Sequence, residues 1–318
     1  MQDESNVFAL KTLEQRLAPT LSEGRFRREV QANLDTREHE RIVPLLTAFS
    51  YGERFYLVFP LASEGSLEKL WKAYIPSGID SQYTSAKIAH WYSDEWLVGE
   101  CLGIAEALLI IHGLDDEHPE EMNGLLHADI KAENILCFTK PGLSKHSIEL
   151  KLGDFGEATR VNSNGYLRAS KAAHVKTYRP PEHSPGNLIR LNYDVWCLGC
   201  LFLDFATWAI LGQQGIDSFS QYREEELDEA SITENPGQII EDTFFKRVKQ
   251  DPVSSVFRRL HWGRDSEMKV DSGRATTTYS LWAASHVGIS SRLKDAVVAV
   301  SKSRTTFNLL HGPIQVRN

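Results

Sequence analysis

The stretch HADIKAENIL, residues 127–136, decides the fold of this chain. Within eight residues it combines a histidine, a carboxylate, a cation and an amide, supplied by His127, Asp129, Lys131 and Asn134. The chain then becomes apolar at once. Such a dense polar cluster beside an apolar run predicts a loop that carries chemistry and is held in place by a buried strand.

The segments on either side extend this interpretation. ILCF (135–138) and IELKL (148–152) have strand character, and the Pro-, Gly-, Ser- and Lys-rich segment between them predicts a hairpin. GDFG follows directly, so Asp154 lies at the end of the second strand. We therefore expect Asp129, Asn134 and Asp154 near one another.

These three residues are hard oxygen donors, which suit Mg²⁺, an ion that keeps several waters and usually bridges to substrate phosphates. Lys131 adds a cation in the same loop. Lys11 lies in the middle of a predicted strand, where an ammonium needs a partner, and Glu29 on the first predicted helix could supply it. An ammonium, metal-binding oxygens and a free carboxylate are the groups that phosphoryl transfer requires.

The first sixty residues predict strand, helix, strand, strand. VFALKTL (7–13) has strand character, and apolar residues at 26, 30 and 34 lie on one helical stripe. RIVPLLTAF (41–49) and FYLVFPLA (55–62) predict two strands joined by a turn. Further along, a long amphipathic helix is predicted from Leu97 to Ile111.

Composition excludes several classes of protein. The 318 residues carry a net charge of −8, which argues against a nucleic-acid partner. The longest apolar run, Cys197–Gly212, is interrupted by Asp204 and predicts a buried helix, not a membrane span. Its Cys197 and Cys200 could hold zinc, but buried apolar thiols are favoured because no second pair completes a site. The opening residues resemble no signal peptide, so we expect an intracellular protein, cytoplasmic or nuclear.

Five motifs in order resemble those of eukaryotic protein kinases. HADIKAEN resembles their catalytic loop and DFG their metal-binding motif. The others are FALK (8–11), RPPE (179–182) and DVWCLGC (194–200). The resemblance covers roughly residues 7 to 212 and implies an α+β bilobal fold, with a small, mostly β N-lobe and a larger, mostly α C-lobe. The run ENILCF and the acidic insert before the catalytic loop look most like kinase domains of filamentous fungi.

The resemblance implies a role for each matching residue. Asp129 would accept or orient the proton of a substrate hydroxyl, and Lys131 would stabilise charge on the transferred phosphoryl group. Asn134 and Asp154 would hold Mg²⁺. Lys11 would contact the phosphates of ATP, held by an ion pair with Glu29.

The resemblance also implies an adenine site and two structural contacts. Phe59 would be the gatekeeper, and the backbone of Pro60 and Ala62 would meet adenine. Asp194 would brace the catalytic loop. Glu182 would pair with a late arginine, for which the sequence leaves three candidates: Arg274, Arg292 and Arg304.

Besides the unassigned late arginine in the divergent C-terminal region, the sequence departs from the family pattern in two places. No G-x-G-x-x-G precedes Lys11, and ten residues are too few for the phosphate-covering hairpin, so we expect a truncated N-lobe that lacks it. Ala128 stands where most kinases have arginine, so phosphorylation is less expected to order the segment that follows.

The resulting prediction is a serine/threonine protein kinase that uses ATP and Mg²⁺ on a protein hydroxyl. The alternative is a pseudokinase, a non-catalytic binding or scaffold module; a small-molecule kinase is disfavoured by RPPE and DVWCLGC. We expect no nucleic-acid or membrane partner, and the oligomeric state stays open. The predicted divisions are a truncated N-lobe (1–61), a C-lobe (62–262) and a divergent end (263–318).

Overall fold

A computed structural model describes the chain in ranges with gaps, and every structural statement below concerns these residues: 7–13, 19–36, 38–76, 79, 86–113, 124–140, 147–161, 167–168, 177–180, 188–225, 242–244, 246–247 and 257–258. The chain divides into two compact units. The first comprises residues 1–91, 100–225 and 240–244, and the second comprises residues 92–99, 226–239 and 245–318.

The first unit begins with a three-stranded antiparallel sheet and one helix. The elements run in the predicted order: β1 (Phe8–Leu13), α1 (Pro19–Asp35), β2 (Thr47–Tyr51) and β3 (Arg54–Pro60). The strands lie in the order β1-β3-β2, with Lys11 opposite Leu57. Leu57 is fully buried, and the rings of Phe26 on α1 and Phe55 on β3 stack at 4.7 Å. Within the described residues, no further strand pairs with the outer edge of β1.

The strand predicted for residues 41–49 begins only at Thr47. Pro44 has no N–H to donate to a sheet ladder, which explains why the segment before it does not continue β2. Instead, Val43 donates its N–H to Leu152 O at 2.9 Å and Arg41 O accepts the N–H of Leu152 at 2.8 Å. Arg41 and Val43 therefore pair with Leu152, whereas Leu46 already donates to Val58 O of β3 at 2.9 Å.

The chain then continues through short strands and longer helices. In order, these are β4 (Gly65–Ser66), α2 (Leu67–Ala73), β5 (Tyr74–Pro76), β6 (Lys87–Ala89), α3 (Asp94–Ile111), β7 (Leu125–Leu126), a 3₁₀ helix (Ala132–Asn134), β8 (Ile135–Thr139), β9 (Ile148–Leu152), β10 (Thr159–Arg160), β11 (Leu167–Arg168), β12 (Leu188–Ile189) and α4 (Asn192–Glu225). The predicted hairpin is the antiparallel pair β8–β9, and β4 extends it into a sheet of order β4-β8-β9.

Helix α4 contains the long apolar run. It bends at Gly212, where φ is 68° and ψ is −166°, a conformation that favours glycine. Its length and composition alone would suit a membrane span. Its Asp194, Asp204 and Arg223 are nevertheless buried, and each is hydrogen-bonded within the first unit. Cys197 and Cys200 are buried and form no disulfide, and Cys197 Sγ donates to Tyr178 O at 3.4 Å.

An aromatic cluster forms part of the core of the first unit. Trp208 of α4 is fully buried, and its Nε1 donates to the carbonyl oxygens of Trp71 at 3.1 Å and Tyr74 at 3.2 Å. The ring of Phe205 lies 5.6 Å from that of Trp71. These contacts attach α2 to α4 and bury the indole with its N–H satisfied.

In the second unit, the described residues include the first turns of α3 and two short strands, β13 (Lys246–Arg247) and β14 (Phe257–Arg258), which pair antiparallel. The strands around α1 and the helices α2 to α4 confirm the predicted α+β kinase-like fold. The divisions at residues 61 and 262 stay predictions.

Candidate active site

Lys11 lies at the centre of a three-residue ion cluster. Its Nζ is 2.7 Å from Oε1 of Glu29 on α1 and 2.8 Å from Oδ1 of Asp154, which follows β9. Glu29 is almost fully buried, whereas Asp154 is 42% exposed. The predicted partner of Lys11 is therefore confirmed, and Asp154 remains accessible to a ligand.

Burial and charge act in opposite directions on this cluster. Burial works to lower the pKa of Lys11, but the carboxylates of Glu29 and Asp154 outweigh it and raise that pKa. Burial raises the pKa of Glu29 despite the neighbouring ammonium. Burial also opposes ionisation of Asp154, yet Lys11 and the N–H of Gly156 lower the pKa of this carboxyl. Asp154 is thus held as a carboxylate, the form that binds a cation.

At Gly156, in the turn after Asp154, a side chain would crowd the ion cluster. A Cβ on Gly156 would lie 3.0 Å from Asp154 Oδ1 and 3.3 Å from Lys11 Nζ. The N–H of Gly156 donates to Asp154 Oδ1 at 3.1 Å. Phe155 is buried with its ring 5.0 Å from that of His127. The glycine therefore permits the close approach of three charges, and the phenylalanine anchors the turn in the core.

The catalytic-loop residues also meet. Asn134 Nδ2 donates to Asp129 at both the main-chain oxygen and Oδ2, each at 2.8 Å. Lys131 Nζ lies 3.0 Å from the same Oδ2. Among the described residues, Asp129 Oδ1 accepts no hydrogen bond, so one carboxylate oxygen is left to accept a proton.

The loop is braced from below by Asp194, as the sequence predicted. Its Oδ2 accepts the N–H of His127 at 2.7 Å and its Oδ1 accepts that of Ala128 at 2.9 Å. His112 Nε2 lies 2.9 Å from Oδ2. Ala128 has φ of 65°, a left-handed conformation that is strained for alanine and is held by these contacts. His127 is structural: its Nε2 lies 3.1 Å from Gly153 O.

The donors present fit a magnesium ion. Asn134 points its amide nitrogen at Asp129, which leaves its Oδ1 without a hydrogen bond among the described residues. Asp154 Oδ2 is likewise without one. The main chains of the two residues are coupled, since Gly153 N donates to Asn134 O at 2.9 Å. Two hard oxygens suit an ion that takes its remaining ligands from water and phosphate.

The predicted adenine site lies where β3 ends. Phe59 and Pro60 are half-buried in the last two positions of β3, opposite Ala9 and Phe8. Ala62 O accepts the N–H of Gly65 at 3.1 Å, whereas the N–H of Ala62 has no hydrogen-bond partner among the described residues. A free N–H at this position could donate to a ligand.

A buried cluster near RPPE was not predicted. Tyr178 donates its hydroxyl to Asp204 Oδ2 at 2.6 Å, and Arg223 Nη1 lies 3.4 Å from Asp204 Oδ1. Arg223 also pairs with Asp242, and its Cζ lies 4.2 Å from the ring centroids of Phe219 and Phe244. Glu182 and its three candidate arginines lie outside the described residues, so their pairing stays a prediction.

A second buried ion pair, between Arg41 and Glu100, was also missed. Arg41 falls in a segment predicted as a strand, and Glu100 lies on helix α3 among the apolar positions of its buried face. The charge at position 100 inside that helix was the one available signal, and it did not reveal the partner 59 residues away.

Comparison with known proteins agrees with this geometry. The protein kinase domain family matches residues 1–260. Aurora kinase of Yarrowia lipolytica is 29% identical over 200 residues, which cover 63% of this chain and 44% of that protein. Aurora kinase B of Drosophila melanogaster is 30% identical over 177 residues, which cover 56% of this chain and 43% of that protein. Human serine/threonine-protein kinase Nek5 is 28% identical over 174 residues, which cover 55% of this chain and 20% of that protein.

The chain thus spans less than half the length of each of these relatives. The family match covers more than three quarters of its residues, including the Lys11–Glu29–Asp154 cluster and the Asp129 loop. The special resemblance to kinase domains of filamentous fungi stays a prediction. On the family match and the geometry of these two clusters together, the chain belongs to the protein kinase domain family.

Proposed function

We propose that the chain is a serine/threonine protein kinase that transfers the γ-phosphoryl group of ATP to a protein hydroxyl. The observation that carries the proposal is the convergence of Lys11, Glu29 and Asp154 at hydrogen-bonding distance beside an ordered Asp129 loop. The names of the relatives, two Aurora kinases and a serine/threonine-protein kinase, support the same class of acceptor.

Each residue has a task in this reaction. Lys11 binds the phosphates of ATP, oriented by Glu29. The backbone of Pro60 and Ala62 binds adenine behind Phe59. Bound Mg²⁺, held by Asn134 and Asp154, would neutralise phosphate charge.

The loop supplies the remaining groups. Asp129 orients the acceptor hydroxyl with Oδ1, which accepts no hydrogen bond from the part of the chain that the structure describes, and can take its proton. Lys131, anchored on the other oxygen of the same carboxylate, is placed to stabilise the transferred phosphoryl group. Because Asn134 donates two hydrogen bonds to Asp129, the metal site and the base are held together.

The partner is a protein that presents serine or threonine, and the location is intracellular, in the cytoplasm or nucleus. None of the four cysteines, all within the described residues, forms a disulfide, which supports a reducing compartment. The second candidate is a pseudokinase that binds without transfer. The unpaired outer edge of β1 among the described residues favours it, since no strand there covers the phosphates.

One experiment separates these functions. The wild-type chain and Asp129→Asn are compared for MgATP-induced change in melting temperature and for γ-phosphoryl transfer to peptides carrying only serine, threonine or tyrosine. We expect a stabilising shift in both proteins, with transfer to serine and threonine reduced about a hundredfold or more in the variant.

The exposed Asp217→Asn on α4 is the matched control and should behave like wild type. Stabilisation by MgATP without transfer in the wild-type chain would establish the pseudokinase. Absence of both stabilisation and transfer would overturn the kinase and leave the pseudokinase, as a scaffold module that binds no nucleotide.

A further inference from the structure

The segment Arg41–Val43 joins α1 to β2 and runs beside the end of β9. Arg41 O accepts the N–H of Leu152 at 2.8 Å, and Leu152 O accepts the N–H of Val43 at 2.9 Å. Leu152 is two residues before Asp154. The same segment follows α1, which carries Glu29. The position of this segment is therefore coupled to the carboxylates of Glu29 and Asp154, which hold Lys11.

The side chain of Arg41 fixes this segment to α3. It is 10% exposed, and its Nη1 donates to Oε2 of Glu100, which is 7% exposed. The same Oε2 accepts the N–H of Leu150 at 2.7 Å, and Arg41 Nη1 also lies 3.5 Å from Leu150 O. One buried ion pair thus joins three elements: the segment after α1, helix α3 and strand β9.

Helix α3 provides a space shaped for the guanidinium. A Cβ on Gly103 would lie 2.7 Å from Nε and 2.9 Å from Cζ of Arg41. Gly103 is three residues after Glu100, so both lie on one face of the helix. A glycine opens the space and a glutamate supplies the charge. Burial raises the pKa of Glu100, although Leu150 N–H and Arg41 oppose it.

We propose that Arg41 and Glu100 are positioning residues that set the distances from Lys11 to Glu29 and to Asp154. Gly103, which has no side chain, leaves the space that the guanidinium of Arg41 occupies. Neither residue touches the cluster around Lys11, so any effect on it passes through Leu152 and α1. The expected change in the KM for MgATP rests on the proposed function. The expected change in the chemical reactivity of Lys11 does not.

The test uses Gly103→Ala, which displaces the guanidinium without removing a charge, and Arg41→Met, which removes it. Gly99→Ala is the matched control on the same helix, because a Cβ there meets nothing within 4 Å. Two quantities are measured in the full chain: the acylation rate of Lys11 without nucleotide, by mass spectrometry with exposed Lys87 as internal reference, and the KM for MgATP.

We expect Gly103→Ala and Arg41→Met to raise the acylation rate of Lys11 and the KM for MgATP about tenfold. Removing a residue that positions a metal ligand has an effect of this size. Gly99→Ala should match wild type, and Glu100→Gln, which keeps an acceptor for Arg41 and Leu150, should lie nearer wild type than Arg41→Met. If Arg41→Met does not fold, Arg41→Met/Glu100→Leu replaces it, because that pair leaves no unpaired buried charge.

The two readouts separate the possible failures. Wild-type acylation of Lys11 in folded Gly103→Ala and in the Arg41 variant would overturn the positioning role, whatever their stability. A wild-type chain that neither binds MgATP nor transfers phosphate would refute the proposed function, while the acylation rates would still decide whether Arg41 positions Lys11.

Discussion

Lys11 and Asp154 lie 143 positions apart in sequence, and their ion pair has an Nζ–Oδ1 distance of 2.8 Å. Glu29 completes the cluster from α1. The pair joins the first strand of the sheet to the turn after β9. It therefore reports whether the two halves of the candidate active site are correctly assembled.

Removing Lys11 should leave a buried carboxylate without a cation. We expect Lys11→Met to lower the free energy of unfolding by about 1–3 kcal/mol, because Glu29 is only 3% exposed. The control is Lys72→Met, which breaks an exposed pair with Glu68 and should cost less than about 1 kcal/mol. Urea denaturation measures both variants; equal costs would show that the Lys11 cluster is not effectively buried.

Asp194 should be among the least replaceable residues of α4. Asp194→Asn offers one acceptor oxygen where two accept from His127, Ala128 and His112, so a buried N–H faces an amide N–H₂. We expect a loss of about 2–4 kcal/mol in the free energy of unfolding, since hydrogen bonds to a buried charge are lost. Denaturation of Asp217→Asn, an exposed change on the same helix, serves as reference. A similar small cost for both would contradict the bracing role.

The left-handed backbone at position 128 makes a comparison of two alanines informative. Ala128 and Ala132 are both buried, so Ala→Gly removes one buried methyl group at each. At Ala128, where φ is 65°, glycine also relieves steric strain of about 1–2 kcal/mol. We expect Ala128→Gly to be about 1 kcal/mol less destabilising than Ala132→Gly in thermal denaturation. The reverse order would show that Ala128 is unstrained.

Asp204 should make stability depend on pH. Burial raises the pKa of Asp204 from 3.8 to about 6, although Arg223 and the hydroxyl of Tyr178 oppose it. The folded state therefore holds a proton that the unfolded chain has lost between about pH 4 and pH 6. In that window the free energy of unfolding falls as pH rises.

Asp204→Asn should flatten this dependence because an amide does not titrate. Its oxygen can still accept the hydrogen bond from the hydroxyl of Tyr178, so the local contact is kept. Urea denaturation of both proteins across the window measures the difference in slope. The exposed Asp217→Asn should retain the wild-type slope. Identical slopes in wild type and Asp204→Asn would refute the assignment.

The short-range part of the candidate site could be predicted from sequence. Asp129, Lys131 and Asn134 lie within six positions, so a tight loop at that point can bring their side chains together. The alternation in β8 and β9 places Asp154 at the end of a strand, and the structure confirms this. The partnership of Lys11 with Glu29 was predicted because an ammonium within a strand requires a counterion.

The strand predicted at residues 41–49 shows where sequence patterns fail. Ile42 and Val43 are apolar and buried, which is why they resemble a strand. The N–H of Ile42, however, donates to His39 O and that of Val43 to Leu152 O, so neither pairs with the strand beside β2. An apolar pattern indicates that a segment is buried, but it does not indicate which other part of the chain forms hydrogen bonds with that segment.

The sequence was enough to assign the family and the fold class and to predict a chemistry for HADIKAENIL, because those depend on residue types at fixed, short spacings. Only the tertiary structure revealed the pairing of Arg41 with Glu100 and of Arg223 with Asp204 and Asp242. Arg41 and Glu100 come from different elements, and Asp204 and Arg223 come from opposite sides of the bend in α4 at Gly212. Their buried charges are tolerable because the fold brings a partner to each. That requirement leaves no periodic trace in the chain.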